Sequence, residues 1–208
     1  VLWEISDALR ETLVGDREPH AGEGHISAYE LVDGLLSKVT ITCRHDLQRI
    51  KPIWVDLLSP TKAQRYLIGQ FYGLDLPDPH ELTDLEASAR FYVEQNQEEI
   101  HINSDFLLDR DGEARSVPVA FVLRGDTLFS VRDEELPVFR LQRLRARTQP
   151  GFVSDSRDLL LDLYGAEAEY SADSLENIYT KLESVSRNVL SQTMTDEDAA
   201  NETPAVLH

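Results

Sequence analysis

Val117 to Thr148 reads VPVAFVLRGDTLFSVRDEELPVFRLQRLRART, which encodes a strand, a turn, a second strand and a helix in direct succession. Two β-rich runs, VPVAFVL and TLFSVR, flank Arg124-Gly125-Asp126, a short glycine-containing connection of the kind that closes antiparallel hairpins. Glu134 and Glu135 then precede Pro137, which places acids at the positive end of a helix dipole and proline where its missing N–H removes no hydrogen bond. In the helix that follows, Val138, Leu141 and Leu144 recur at three-residue spacing as the expected buried stripe. Arg140, Arg143, Arg145 and Arg147 put cations toward its C-terminal half. Thr148, Gln149, Pro150 and Gly151 end it.

Upstream of this unit, Ile26 to Val32 and Leu35 to Thr42 flank Asp33-Gly34, a strong hairpin signal and the expected start of the sheet. Ile53 to Leu57 reads as a buried strand. Ser59-Pro60 then offers a cap and a first-turn proline for a helix bearing Ala63, Tyr66, Leu67 and Phe71, closed by Gly73. After LDLPDP, a short helical piece near Glu81 to Glu86 leads into the strands ARFYVE and EIHINSDFLL, and Asp111-Gly112 turns the chain back toward Val117. At the beginning of the chain, Leu2, Ile5, Leu9 and Leu13 trace an amphipathic helix ending at Gly15, followed by the polar connector DREPHAGEGH.

Downstream the pattern changes at about Ser154. Leu161, Tyr164, Ala168, Leu175, Ile178, Leu182, Val185 and Val189 fall largely at three- and four-residue steps, interrupted at Ser171. This spacing predicts one long helix, or two in a hairpin, packed along a stripe against another helix, with contact between subunits as one form of that packing. The expected fold class is therefore α/β: an α/β/α layered domain with a mixed central sheet, followed by long C-terminal helices. Residues 1–25 form a helical arm and connector, 26–153 the α/β domain, and 154–208 the helical section.

At 208 residues the chain is long enough to bury about 70% of its unfolded surface without a disulfide or metal staple. Cys43 is the single cysteine, which excludes an intrachain disulfide and a cysteine-based zinc site and suits a small buried hydrophobe. With 38 acidic against 20 basic residues, the net charge of −18 opposes nonspecific binding to nucleic acid or an anionic membrane and makes cations the natural counter-partners. The same carboxylates also serve solubility. No window approaches 18 consecutive apolar residues and no secretory signal opens the chain, so the chain as given is expected to be soluble.

Catalytic signatures are absent. No phosphate-binding glycine loop and no Gly-x-Ser-x-Gly elbow occur. His80-Glu81 opens a metalloprotease-like string, but Asp84 stands where the second histidine is needed. His20, His25, His45, His101 and His208 are scattered without helical pair spacing, and Asn201-Glu202-Thr203 is a sequon that a chain without a signal peptide does not use. Carboxylates remain: between Glu81 and Glu113 there are ten acids against Arg90 and Arg110. Two carboxylates about 4 Å apart repel by roughly 4 kcal/mol at an effective dielectric of ~20, a repulsion that a divalent cation reverses. Glu81 and Asp84 are accordingly candidate metal ligands, with a solvated acidic helix end as the alternative.

The unit at 117–148, together with WVDLLSP (54–60), ELTDLEASARFYVE (81–94), LLLDLY (159–164) and LENIYTKLESVSRNVLS (175–191), resembles the CorA family of magnesium transporters, in particular its proteobacterial branch. The resemblance covers roughly residues 28–195 and implies the cytoplasmic α/β/α domain of such a transporter. Five copies would surround a pore axis, moving hydrated magnesium, with cobalt and nickel as further ions. It implies no enzyme activity, and magnesium as regulatory or transported ion, not a catalytic cofactor. It also implies a place on the cytoplasmic side of the cell inner membrane, reached only through spanning helices beyond His208. The family's Gly-Met-Asn pore signature is missing, because the single methionine, Met194, lies between Thr193 and Thr195. Magnesium between neighbouring cytoplasmic domains closes relatives of this type. Asp84 falls on one of their ligand positions, Thr83 stands where Glu is frequent, and Gly165 stands where some relatives carry another regulatory Asp. The alternative within this reading is a structural and assembly module whose acidic surface concentrates cations without specific sensing.

Overall fold

The computed structural model describes residues 24–41, 44–79, 90–94, 99–110 and 113–201, with side chains as far as Arg187. The helical arm expected over residues 1–15, Cys43, the helical piece at 81–86 and the turn at Asp111-Gly112 lie outside them. In chain order the elements are β1 (His25–Val32), β2 (Leu35–Thr40), α1 (Arg44–Gln48), β3 (Trp54–Leu58), α2 (Lys62–Tyr72), β4 (Phe91–Glu94), β5 (Glu99–Arg110), β6 (Glu113–Arg124), β7 (Thr127–Arg132), α3 (Pro137–Thr148) and α4 (Ser156–Asn201). The strands form one seven-stranded sheet in the order β2-β1-β3-β7-β6-β5-β4. Among them only β3 and β7 run parallel.

Both expected hairpins form. Asp33 and Gly34 adopt left-handed φ values of 52° and 77°, as a two-residue type I′ turn demands, and β1 pairs β2 from Val32↔Leu35 to Ser27↔Thr40. β6 pairs β7 from Arg124↔Thr127 to Val119↔Arg132, but β6 begins at Glu113, four residues before the predicted run. Its first part outlasts β7 and pairs with β5 alone. Pro118 is tolerated there because no β7 residue stands opposite it to receive a hydrogen bond.

Helices cover both faces, giving the α/β/α layering expected for the mixed sheet. α3 and α4 close one face over Tyr29, Trp54, Phe106, Phe121, Phe139 and Leu163. On the other, Leu47 of α1 and Ile68 of α2 pack with Val55, Leu57, Val122, Phe129 and Val131. Every residue of β3 is buried, as a central strand sandwiched between helices requires.

At the parallel junction the sheet buries charge. Arg132, fully buried, reaches Asp56 through Nη2–Oδ2 (2.7 Å) and Nε–Oδ1 (3.2 Å). Ser130 Oγ donates to Asp56 Oδ1 (2.7 Å) and accepts from Trp54 Nε1 (2.9 Å). Arg143 on α3 adds a longer contact to Asp56 (3.4 Å) and a bond to Glu135 (2.8 Å), while the Arg132 guanidinium lies 4.3 Å above the Phe139 ring. Burial alone would raise the Asp56 carboxyl, but Arg132 and then Arg143 outweigh it and hold the group below its ordinary value.

Three local expectations are corrected. α2 is capped by Thr61, not Ser59: Thr61 Oγ1 accepts from Gln64 N and Gln64 Oε1 accepts from Thr61 N, a full capping box. Ser59 instead ends β3 with φ 47° and gives its N–H to Arg132 O. The helix buries Ile68 and Gly69, leaving Ala63 and Tyr66 exposed, and it stops at Gly73 as expected (φ 68°). In α3 the buried residues are Val138, Phe139, Gln142 and Ala146, while Leu141 and Leu144 are only half-buried. A strict three-residue step drifts off a 3.6-residue helix, whereas 139, 142, 146 follows it.

The C-terminal section is one helix of 46 residues, about 70 Å long at 1.5 Å per residue. Leu159, Leu160, Leu163 and Ala166 seat its start on the sheet. Four polar contacts then fasten it to β5: Tyr164 to Ser104, Glu167 to Leu107 N (2.8 Å), Tyr170 to Asp109 N (3.3 Å) and Ser174 to Asp109 Oδ2 (3.0 Å). Leu161 is exposed, and beyond Ser174 so are Leu175, Ile178, Leu182 and Val185. Of the predicted seam, Tyr164 packs on the core, while Leu161 and the described positions from Leu175 to Val185 are uncovered. No helix of the described residues is long and apolar enough to cross a membrane.

Two outcomes follow from this packing. Asp56→Asn leaves Arg132 buried without its carboxylate, so stability measured by urea unfolding falls by about 3–5 kcal/mol. Because the folded-state pKa of Asp56 lies below its ordinary 3.8, its contribution is complete above that value and lost as the pH falls through the folded pKa, an acid dependence that is weaker in the variant. Leu163→Ala, at a fully buried site, lowers stability by about 2–5 kcal/mol, while Leu182→Ala on the uncovered seam changes it by less than about 0.5 kcal/mol.

Candidate functional site

Of the ten acids between Glu81 and Glu113, the described ones, Glu94, Glu99, Asp105, Asp109 and Glu113, are dealt out along β4, β5 and the start of β6. Asp84 and Glu81 themselves lie outside the described residues. Their segment is bounded by residues that are firmly held. On one side Asp78 accepts from Arg65 of α2 (2.6 Å). On the other, Arg90 O accepts from Asn103 N (2.7 Å) and its guanidinium meets Asp105 (3.4 Å), both on β5. Pro79 and Arg90 line one small cavity with Asn103, Ser104, Asp105, Pro118 and Val119. Its volume of about 20 Å³ admits about one water and no larger ligand.

Of the other acids, Asp105 is tied to Arg90 and Asp109 to Ser174. Glu94 and Glu99 stand directly opposite each other across β4 and β5. With His101 they form a group in which one ligand atom from each residue lies within 4.8 Å of the other two. Strand alternation puts Glu99 and His101 on the same face of β5, and Tyr92 of β4 stacks on the imidazole at 4.4 Å and 6°. Glu99 and His101 are 1% and 4% exposed, whereas Glu94 faces solvent. His101 Nε2 lies 3.1 Å from Glu99 Oε2. Arg124 Nη1 lies 3.2 Å from Glu99 Oε1, but it directs its N–H groups to the carbonyls of Tyr72 and Gly73. Oε1 therefore has an ion partner and no hydrogen bond.

Glu81 and Asp84 were legible as an acidic run, but the Glu94, Glu99 and His101 group was not. Reading His101 as one of several scattered histidines missed it, because the group depends on cross-strand register. The available signal was Glu99-x-His101 in a strand, which at period two places both side chains on one face.

A third acidic feature lies on α4. Asp158, Asp162, Glu169, Asp173 and Glu176 recur at helical steps and share one face with Gly165. Burial and then the neighbouring Asp158 push the Asp162 carboxyl above its ordinary value, with Arg145 opposing. Gly165 is exposed and a Cβ there would meet nothing within 4 Å, so the position has room for the longer side chain that the sequence resemblance associates with it.

A profile of the family described as CorA-like Mg2+ transporter protein matches residues 51–203. The magnesium transport protein CorA of Yersinia pseudotuberculosis is 39% identical over 182 residues, 86% of this chain and 56% of that protein. The Escherichia coli K12 protein of the same name is 37% identical over 173 residues, 83% of this chain and 54% of its own length. The chain thus spans about half the length of these curated relatives. Among solved structures, the soluble domain of CorA from Methanocaldococcus jannaschii superposes with a TM-score of 0.57 at 13% identity, covering 81% of this chain and 65% of that one. The full-length CmaX protein superposes at 0.63 and 13% identity, covering 85% and 54%. At that identity the two structures speak for the fold alone. The curated relatives and the family profile together place this chain in the CorA family of Mg2+ transporters, a family of transporters and not of enzymes.

Proposed function

We propose that this chain is the magnesium-sensing part of a CorA-type divalent cation transporter, working on the cytoplasmic side of the cell inner membrane and gating a pore that lies outside it. Asp84, with Glu81 beside it, supplies carboxylate oxygens at the boundary between neighbouring copies, five of which surround the pore axis. Cobalt and nickel are further ions for that pore. Magnesium is ligand and cargo, and no catalytic step is assigned to it.

The observation that carries this reading is the anchoring of both flanks of the Asp84 segment. Asp78 is fixed to α2 and Arg90 to β5, and β5 in turn grips α4 through Ser104, Leu107 and Asp109. A force applied at the segment reaches the long helix through one strand. Magnesium suits such a contact because it keeps several waters and takes only one or two carboxylates from each surface. The acidic face of α4 around Gly165, where burial and then Asp158 push the Asp162 carboxyl above its ordinary value, gives a neighbouring copy a second set of oxygens. A dissociation constant near 1 mM amounts to about 4 kcal/mol, weak enough for release when the ion falls. The competing reading, a scaffold that gathers cations nonspecifically, draws on the net charge of −18 and the exposed apolar seam of α4.

Hydrogen exchange around residue 84, measured in the membrane-assembled protein against magnesium and against sodium of equal ionic strength, separates the two. Sensing predicts saturable protection by magnesium alone, together with loss of magnesium inhibition of transport in Asp84→Ala. Equal protection by sodium, with inhibition intact in Asp84→Ala, would leave only the scaffold.

A further inference from the structure

We propose that Glu94, Glu99 and His101 form a second cation site, one that prefers a borderline first-row divalent ion such as Zn2+ or Co2+ to Mg2+. It stands independently of the magnesium reading, on residues of β4 and β5 alone.

The first argument is electrostatic. Two carboxylates directly opposite each other in an antiparallel pair repel, and here Glu99 is almost wholly removed from water. Arg124 answers part of this charge from the Oε1 side, yet with two acids and one arginine the group keeps a net negative charge facing His101 and solvent. The second is the imidazole. His101 is buried, its Nδ1 has no hydrogen-bond partner among the described residues, and its Nε2 is aimed into the group, toward Glu99 Oε2. Outside the group the ring stacks on Tyr92, which fixes its plane and offers its nitrogens no polar partner.

The spacing of one ligand pair then suits an ion. Two ligand atoms bound at about 2.0–2.1 Å with a tetrahedral angle lie about 3.3 Å apart, close to the 3.1 Å between Nε2 and Oε2. Glu94, on the exposed rim, completes a three-residue set and leaves the solvent side open for entry and for a water ligand. The donor types decide the metal: imidazole with carboxylates suits Zn2+, Co2+ or Ni2+, whereas Mg2+ takes an all-oxygen shell.

The test titrates CoCl2 into the 208-residue chain in excess MgCl2 and follows the visible absorption bands of four- or five-coordinate Co2+, with ZnCl2 as competitor. The expected result is a saturable band that Zn2+ removes and Mg2+ does not. His101→Gln and Glu99→Gln each weaken binding by at least about tenfold. Glu94→Gln, at an exposed position where the fold is not at stake, also weakens it, and circular dichroism checks the two buried variants. Asp84→Ala keeps the band. No band in the wild-type chain, displacement by Mg2+, unchanged binding in Glu94→Gln and His101→Gln, or loss of the band in Asp84→Ala would each overturn the proposal.

Discussion

The ion pair between Asp56 and Arg132 is the constraint on which the rest of this structure depends. Neither charge is tolerable in the interior alone, since removing an ion from water costs several kcal/mol unless a partner and hydrogen bonds replace the solvent. The pair forms only if β7 lies beside β3 with Asp56 opposite Ser130. A slip of one residue would turn Asp56 to the opposite face, toward α1 and α2 and away from Arg132. Charge thereby specifies register where hydrophobicity cannot, because β3 is buried on both faces and its apolar residues would accept either alignment. The same pair seats α3, through Arg143 and Glu135 on one side and the Arg132–Phe139 contact on the other.

With the centre fixed, β5 becomes the strand along which the functional features are strung. Glu99 and His101 lie at its beginning, Asn103 and Asp105 hold the flank of the Asp84 segment in its middle, and Leu107 and Asp109 hold α4 near its end. Beside the packing of Phe106 against Tyr164, the strand holds the helix by polar contacts at Ser104, Leu107 and Asp109. The polar contacts are directional and can exchange with water, whereas the aromatic packing of Phe106 and Phe121 with Tyr164 is part of the close-packed core. Beyond Ser174 the described part of the helix leaves the sheet with an apolar stripe uncovered.

Much of the architecture was legible because its signals are local. Asp33-Gly34 names its own turn, Gly73 its own helix end, and β-rich runs such as TLFSVR their strands. Errors arose where two local signals competed. Ser59-Pro60 and Thr61 both resemble caps, and the choice was made by Ser59 N–H, already engaged by Arg132 O across the sheet. For α3, the three-residue spacing of Val138, Leu141 and Leu144 was less decisive than the seat prepared for Phe139. In the candidate sites, Asp84 and Glu81 were visible as an acidic run, while His101 was passed over because its partner is reached across a strand pairing.

By itself the sequence determined the α/β class, the hairpins, a helical C-terminal section, the excess of negative charge and, through strings spread over most of its length, the CorA family. Each of these rests on short-range chemistry or on composition, which are complete before the chain folds. Tertiary structure alone decided that Asp56, Ser130, Arg132 and Arg143 meet, that Glu94 and Glu99 oppose one another beside His101, and that α4 is held by β5 and then released. These are pairings between residues far apart in the chain. They exist only once the parallel junction has set which strand lies beside which, and a one-dimensional pattern carries no distance between its ends.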